Sequence, residues 1–189
     1  MRKIAALIAL AFAALPLAFA VLLLASVYCQ PGELTLKEYS YKLEAILEED
    51  RVRTEEAQGD VGIWGGGGYG YSLFCCGTDA ARDFMDAIVT IHGDTLAAVQ
   101  KLDPPAEAQA AHDEFVAVMD ALVVTGKDVR DIVSEAESTE EFHRLAPPEL
   151  GGQYHDLSHR RSEACYALVN IAAQSNIDID MYRLCPGFD

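Results

Sequence analysis

His155 and His159 stand four residues apart, which on a helix puts two imidazoles on one face within reach of a shared metal, with Glu163 as a third donor. At 100° per residue both fall opposite the Leu157, Leu168 and Ile171 stripe, so they are expected in solvent and are only weak metal candidates. A di-metal centre in a bundle core would want Glu-x-x-His pairs pointing inward, and the sequence offers none. His92 and His112 flank apolar stripes on two segments joined by a short LDPP turn, and counting away from that turn puts them in one layer. Asp50 and Arg161 also fall on core-facing angles at a common level, where an ion pair would satisfy both charges. These four are the buried polar candidates, and a proton-handling or ligand pocket is the functional alternative to structural pairing.

Catalysis needs a positioned nucleophile or a cluster of perturbed groups. No Ser-His-Asp, Cys-His or phosphate-loop pattern is present: the GGGG at 65–68 does not lead into a helix bearing Lys and Thr, and CCG at 75–77 lacks haem or zinc spacing. No catalytic residue, resident metal or cofactor is therefore assigned.

The cysteines carry covalent chemistry of another kind. In an exported chain they suggest disulfides. From Cys165 to a helix end near residue 177 is about 18 Å, and the extended segment to Cys185 covers roughly 26 Å on return. Cys185 therefore reaches Cys165. Cys75 and Cys76 are left to bond each other, to pair with another chain or to stay free.

Export is read from the front of the chain. Met1-Arg2-Lys3 precedes an uncharged run from Ile4 to Val27, long enough to act as a signal segment or to span a membrane. The run stops at Cys29. Ser26-Val27-Tyr28-Cys29 departs from a bacterial lipoprotein signal in having Tyr28 where a small residue is usual, so Cys29 is either the lipidation point or the outer boundary of an uncleaved anchor, with a cleaved secreted product as a third outcome. Arg2 and Lys3, as the only flanking bases, put the chain beyond Cys29 outside the membrane.

Charge narrows the partners. Setting Arg2 and Lys3 aside leaves 12 bases against 30 acids, a formal charge of −18 on the remainder. Nucleic acid is excluded as a partner, because phosphate binding needs clustered Lys and Arg. The acidic surface suits solubility outside the cell.

The elements that must position these residues are helices. Leu36–Ala57, Thr78–Leu102, Pro105–Ala136 and Gln153–Asn176 read as amphipathic helices, with a short piece at Thr139–Leu145. Thr78, Asp103 and the Ser138–Glu141 capping-box pattern suit helix starts. The apolar stripes run through Leu36, Tyr39, Leu43, Ile46 and Leu47; Ala81, Phe84, Ile88, Ile91, Thr95, Val99 and Leu102; Phe115, Met119, Leu122, Gly126, Val129 and Val133; and Leu157, Ala164, Leu168, Ile171 and Ala172. The expected fold is all-α, an antiparallel up-down four-helix bundle behind an N-terminal hydrophobic helix. Residues 1–29 are its signal or anchor, 30–35 its tether and 36–189 its bundle.

Residues 59–77 break that pattern. The stretch GDVGIWGGGGYGYSLFCCG sets Trp64, Tyr69, Tyr71 and Phe74 on a glycine-rich backbone. Either the aromatics cap the end of the bundle, or they form a loop for a partner or for self-association.

KLDPPAEAQAAHDEFVAVMDAL from Lys101 and EACYALVNIAAQSNIDIDMYRLC ending at Cys185, with LTLKEYSYKLEAILEE near the tether, resemble small all-helical, exported bacterial proteins, often lipoprotein-like, that have no assigned function. The resemblance implies a shared fold and supports the Cys165–Cys185 bridge, and it carries over no active site. The Gly-aromatic loop looks like an addition to that pattern.

The sequence thus points to an extracytoplasmic, membrane-tethered helical binding or assembly module. The alternatives are an accessory subunit of a membrane complex, anchored by residues 4–27 and docking through the Gly-aromatic loop, and a metal- or ligand-binding enzyme using His92, His112, Asp50 and Arg161.

Overall fold

Apolar residues recur every three or four positions between glycine- and proline-rich breaks, and these segments fold as helices. The computed structural model describes residues 34–61, 77–180 and 185. The elements are α1 (Leu36–Val61), α2 (Thr78–Val99), α3 (Gln109–Glu135), α4 (Thr139–Leu145) and α5 (Leu150–Gln174), with no strand among the described residues. The apolar run with Cys29, the loop aromatics Trp64, Tyr69, Tyr71 and Phe74, and Cys75 and Cys76 lie outside the described residues.

The long helices pack as a bundle, α1 on α2, α2 on α3 and α3 on α5, with α1 and α5 meeting more sparingly. Named contacts give their directions. Arg82 Nη2 donates to the Ala136 carbonyl at 3.1 Å, Arg130 lies 3.8 Å from Asp86, and Val89 faces Gly126, so α2 and α3 are antiparallel. Arg53 pairs with Asp94 at 2.9 Å while the Leu34 N–H donates to the Asp103 carbonyl at 3.4 Å, so α1 and α2 are antiparallel too. Tyr39, Phe115, Met85 and Met119 are wholly enclosed in the core these helices share. Side chains of this size contribute roughly 2–3 kcal/mol each by leaving water.

Several helix ends differ from the periodicity reading. α2 stops at Val99 because Lys101 and Leu102 donate to carbonyls three residues back, a tightened final turn. α3 begins at Gln109 rather than Pro105: the Pro105 carbonyl accepts from Ala108 and Gln109, and no side chain caps the helix, so Asp103 is not its cap. Thr78 is likewise no cap, since it lies inside α2 and the capping position is Gly77, whose φ of 103° suits glycine. α1 continues past Ala57 to Val61, and α5 begins at Leu150, through Gly151 and Gly152. Leu150 and Tyr154 are both buried one turn apart, and that packing outweighs the weak helix propensity of the glycines between them.

Two helix starts carry a capping-box arrangement, at α4 in a variant whose Glu reaches the residue before the cap. Ser138 Oγ accepts from the Glu141 N–H at 3.2 Å, and the Glu141 carboxylate reaches back to the N–H of Glu137 at 3.1 Å. At α1, Thr35 Oγ1 accepts from the Glu38 N–H at 3.3 Å while the Glu38 carboxylate accepts from the Thr35 N–H at 3.1 Å. The T-x-x-E pattern at 35–38 is the sequence signal for that second box.

Cys165 and Cys185 lie at disulfide-bonding distance, with their Cα atoms 5.7 Å apart and both residues buried. Together they hold the tail against α5. No helix among the described residues is long and apolar enough to cross a membrane.

Candidate functional site

The core stripe of α1 runs through Leu43 and Leu47 and brings Asp50 inward one turn later. His92 and Thr95 come in from α2, and Arg161 from α5, completing a polar cluster inside the bundle. Arg161 Nη2 donates to Asp50 Oδ2 at 2.6 Å, and Thr95 Oγ1 donates to Asp50 Oδ1 at 2.8 Å. Arg161 Nη1 lies 3.4 Å from His92 Nε2. A guanidinium has only donors, so Nε2 is the acceptor and the imidazole proton belongs on Nδ1. Asp50 and His92 are buried, while Arg161 keeps 16% of its side chain in contact with solvent.

Burial alone would raise the Asp50 carboxyl, but the Arg161 charge, then His92 and the hydrogen bonds from Thr95 and Arg161, outweigh it and hold the pKa below the usual carboxylate range. Burial foremost, and the Arg161 charge next, push His92 down to about 4 against the opposing pull of Asp50. The cluster therefore holds an ionised Asp50, an Arg161 cation and a neutral His92. Both carboxylate oxygens accept a bond and His92 Nε2 is engaged, so the geometry is that of a three-helix cross-link. A general base needs a pKa near the working pH and room for a substrate proton. Asp50 meets neither condition.

His92 and His112 do not share a layer. The α2–α3 register puts His92 level with residues near Val123, about eleven residues beyond His112, or roughly 16 Å along the helix at ~1.5 Å per residue. Counting from the LDPP turn fails because residues 100–108 form a wider, non-helical connection. His112 instead meets Tyr39 of α1: the phenol oxygen is 3.0 Å from Nδ1, and the rings meet edge-on with centroids 5.8 Å apart. Burial lowers the His112 pKa, opposed by Asp113, and burial with help from Asp113 raises that of Tyr39.

His155 and His159 are exposed on α5, where His159 Nδ1 lies 3.4 Å from Glu163. Among the described residues no three His, Cys, Asp or Glu side chains converge as a metal site would require.

A third place is invisible to periodicity and motif. α4 starts at the Ser138 cap and ends where the Ala146 N–H bonds the Phe142 carbonyl at 2.8 Å, after which Pro147 and Pro148 turn the chain into α5. This strut borders a partly open hollow of about 190 Å³ whose floor includes Met85 of α2 and Val129 of α3 and whose far side is lined by Leu150, Gly151 and Tyr154. His143 stands at its edge, its ring 5.6 Å from that of Phe142. In the sequence PPELGG reads only as a break, and nothing local joins its flanking Phe142, Leu150 and Tyr154 into a site. Tyr39 and Thr95 read as members of apolar stripes, and nothing local marks them as partners of His112 and Asp50.

No protein-family model, curated protein or solved structure matches the chain.

Proposed function

We propose that this chain is an extracytoplasmic, membrane-tethered helical binding or assembly module. In this reading residues 1–29 are a signal or anchor, 30–35 a tether and 36–189 an antiparallel up-down four-helix bundle carrying the Gly-aromatic loop at 59–77. One observation carries the proposal. The capping box at Thr35 starts α1 only a few residues after Cys29, and Leu34 bonds the α2–α3 turn at Asp103, so the chain enters the bundle at one fixed end. α4 and the start of α2 lie toward the opposite end, roughly 39 Å away along the 26 residues of α1. A tether at one end presents the other end to partners. The internal pairing of Asp50, Arg161 and His92 supports a scaffold role for the bundle interior over the alternative of an enzyme built on those residues.

The test is the intact mass of protein purified from its native membrane, with and without reductant. A chain beginning at Cys29 with added acyl mass, or a full-length chain, upholds tethering and separates lipidation from an anchor helix. A shortened, unacylated chain released into the soluble fraction removes the tether.

A further inference from the structure

We propose that the hollow between α2, α3, α4 and the start of α5 is a binding site for a small, neutral molecule carrying one or two rings. The inference rests on the binding-module reading and gives that reading its ligand class.

Size sets the first limit. An apolar cavity of ~150 Å³ accommodates benzene, so a hollow of about 190 Å³ takes a compact solute of one or two rings. The lining sets the second. Phe142 and Tyr154 offer ring faces and edges, Pro147 and Pro148 offer flat aliphatic rings, and Met85 brings a polarisable thioether. Four elements line one small hollow, partly open at an exposed rim of His143, Pro147, Pro148 and Gly151 over a buried floor of Met85, Phe142, Leu150 and Tyr154, and its volume suits a compact occupant. Charge sets the third limit: Glu137, Glu140 and Glu149 flank the segment in a chain of formal charge −16, while the nearby bases Arg82 and Arg144 are paired with Asp79 and Glu141, so apart from His143 at the rim the surroundings disfavour an anion. A cation would lose hydration among apolar walls with no buried carboxylate in the lining to repay it. A neutral ring compound meets none of these costs.

Two glycines provide the test. Gly151 lines the hollow, and a Cβ built there meets nothing within 4 Å; Gly152 also has open space but does not line the hollow. Gly151→Leu therefore puts bulk at the exposed rim of the hollow without a steric clash at its Cβ, and Gly152→Leu matches its change in helix propensity. The probe is 5-fluoroindole, followed by fluorine NMR on the full chain in phosphatidylcholine nanodiscs, with empty nanodiscs subtracted and hexanoate as competitor. Wild type and Gly152→Leu are expected to bind alike, Gly151→Leu to bind roughly tenfold more weakly or worse, and hexanoate to leave the probe in place. The proposal is overturned by absence of binding above empty nanodiscs, by equal binding in all variants, by equal loss in both, or by displacement with hexanoate. These outcomes are separate from the mass measurement: a released chain removes the tether with the pocket result intact, and a failed titration removes the ligand class alone.

Discussion

Arg161 of α5 and Asp50 of α1 are 111 residues apart in the chain and 2.6 Å apart in the fold. Their contact joins α1 and α5, helices that meet sparingly, and adds a polar cross-link to the apolar contact in which Tyr39, Leu43 and Leu47 face Leu168 and Val169.

Removing one partner of that pair leaves a charge without compensation. Asp50→Ala should cost about 3 kcal/mol, since Arg161, mostly buried with 16% of its side chain exposed, keeps its charge and loses its carboxylate partner. The double change Asp50→Leu with Arg161→Met removes both charges and should cost far less, within about 1 kcal/mol of wild type. Chemical denaturation of the two singles and the double checks this, and additive losses would mean that the pair is not coupled.

The same cluster sets an acid limb to stability. His92 titrates near 4 in the fold and at the ordinary 6.5 when unfolded, so the unfolded chain binds more protons between these values. Stability is full above pH 6.5 and falls as pH drops toward 4, by up to about 1.4 kcal/mol per pH unit from this group. The lowered pKa of His112 acts in the same direction. Asp50 adds a further loss once pH falls below its unfolded value of 3.8. His92→Gln should flatten the slope between pH 6.5 and 4, measured as denaturation midpoints across that range; an unchanged slope would assign the acid limb elsewhere.

Tyr39 and His112 make a counterpart near the start of α1. Tyr39→Phe keeps the ring and deletes the hydroxyl that faces His112 Nδ1, leaving a buried nitrogen unsatisfied at a cost of about 1–2 kcal/mol. Adding His112→Leu should recover part of that loss. A thermal melt in which the double variant is worse than the sum of the singles would contradict the pairing.

Cys165 and Cys185 close a loop across a separation of 20 residues. Replacing both with Ser should lower stability by about 3 kcal/mol through the freed loop entropy. Peptide mapping without reductant should recover the two residues in one cross-linked fragment, and their recovery as separate free thiols would oppose the assignment.

Much of the architecture is legible in one dimension. Leu43, Leu47 and Asp50 on α1, and the stripe from Phe115 to Val133 on α3, follow the helical repeat directly, because which face of a helix is buried depends on residues three and four positions apart. The inward angles of Asp50 and Arg161 are local facts of the same kind. Helix ends are less legible at Pro105 and Gly151, where a turn carbonyl in one case and buried Leu150 and Tyr154 in the other outweigh the local signal.

What the sequence by itself determined is therefore the set of helices, the faces they bury, and the acidic charge of the chain. Only the tertiary structure decided that His92 joins Asp50 and Arg161, that His112 meets Tyr39, and that α4 and its prolines border a hollow. The reason is register: how far one helix slides past another depends on the shape of the turn between them and on side-chain packing from distant segments, and neither repeats along the chain.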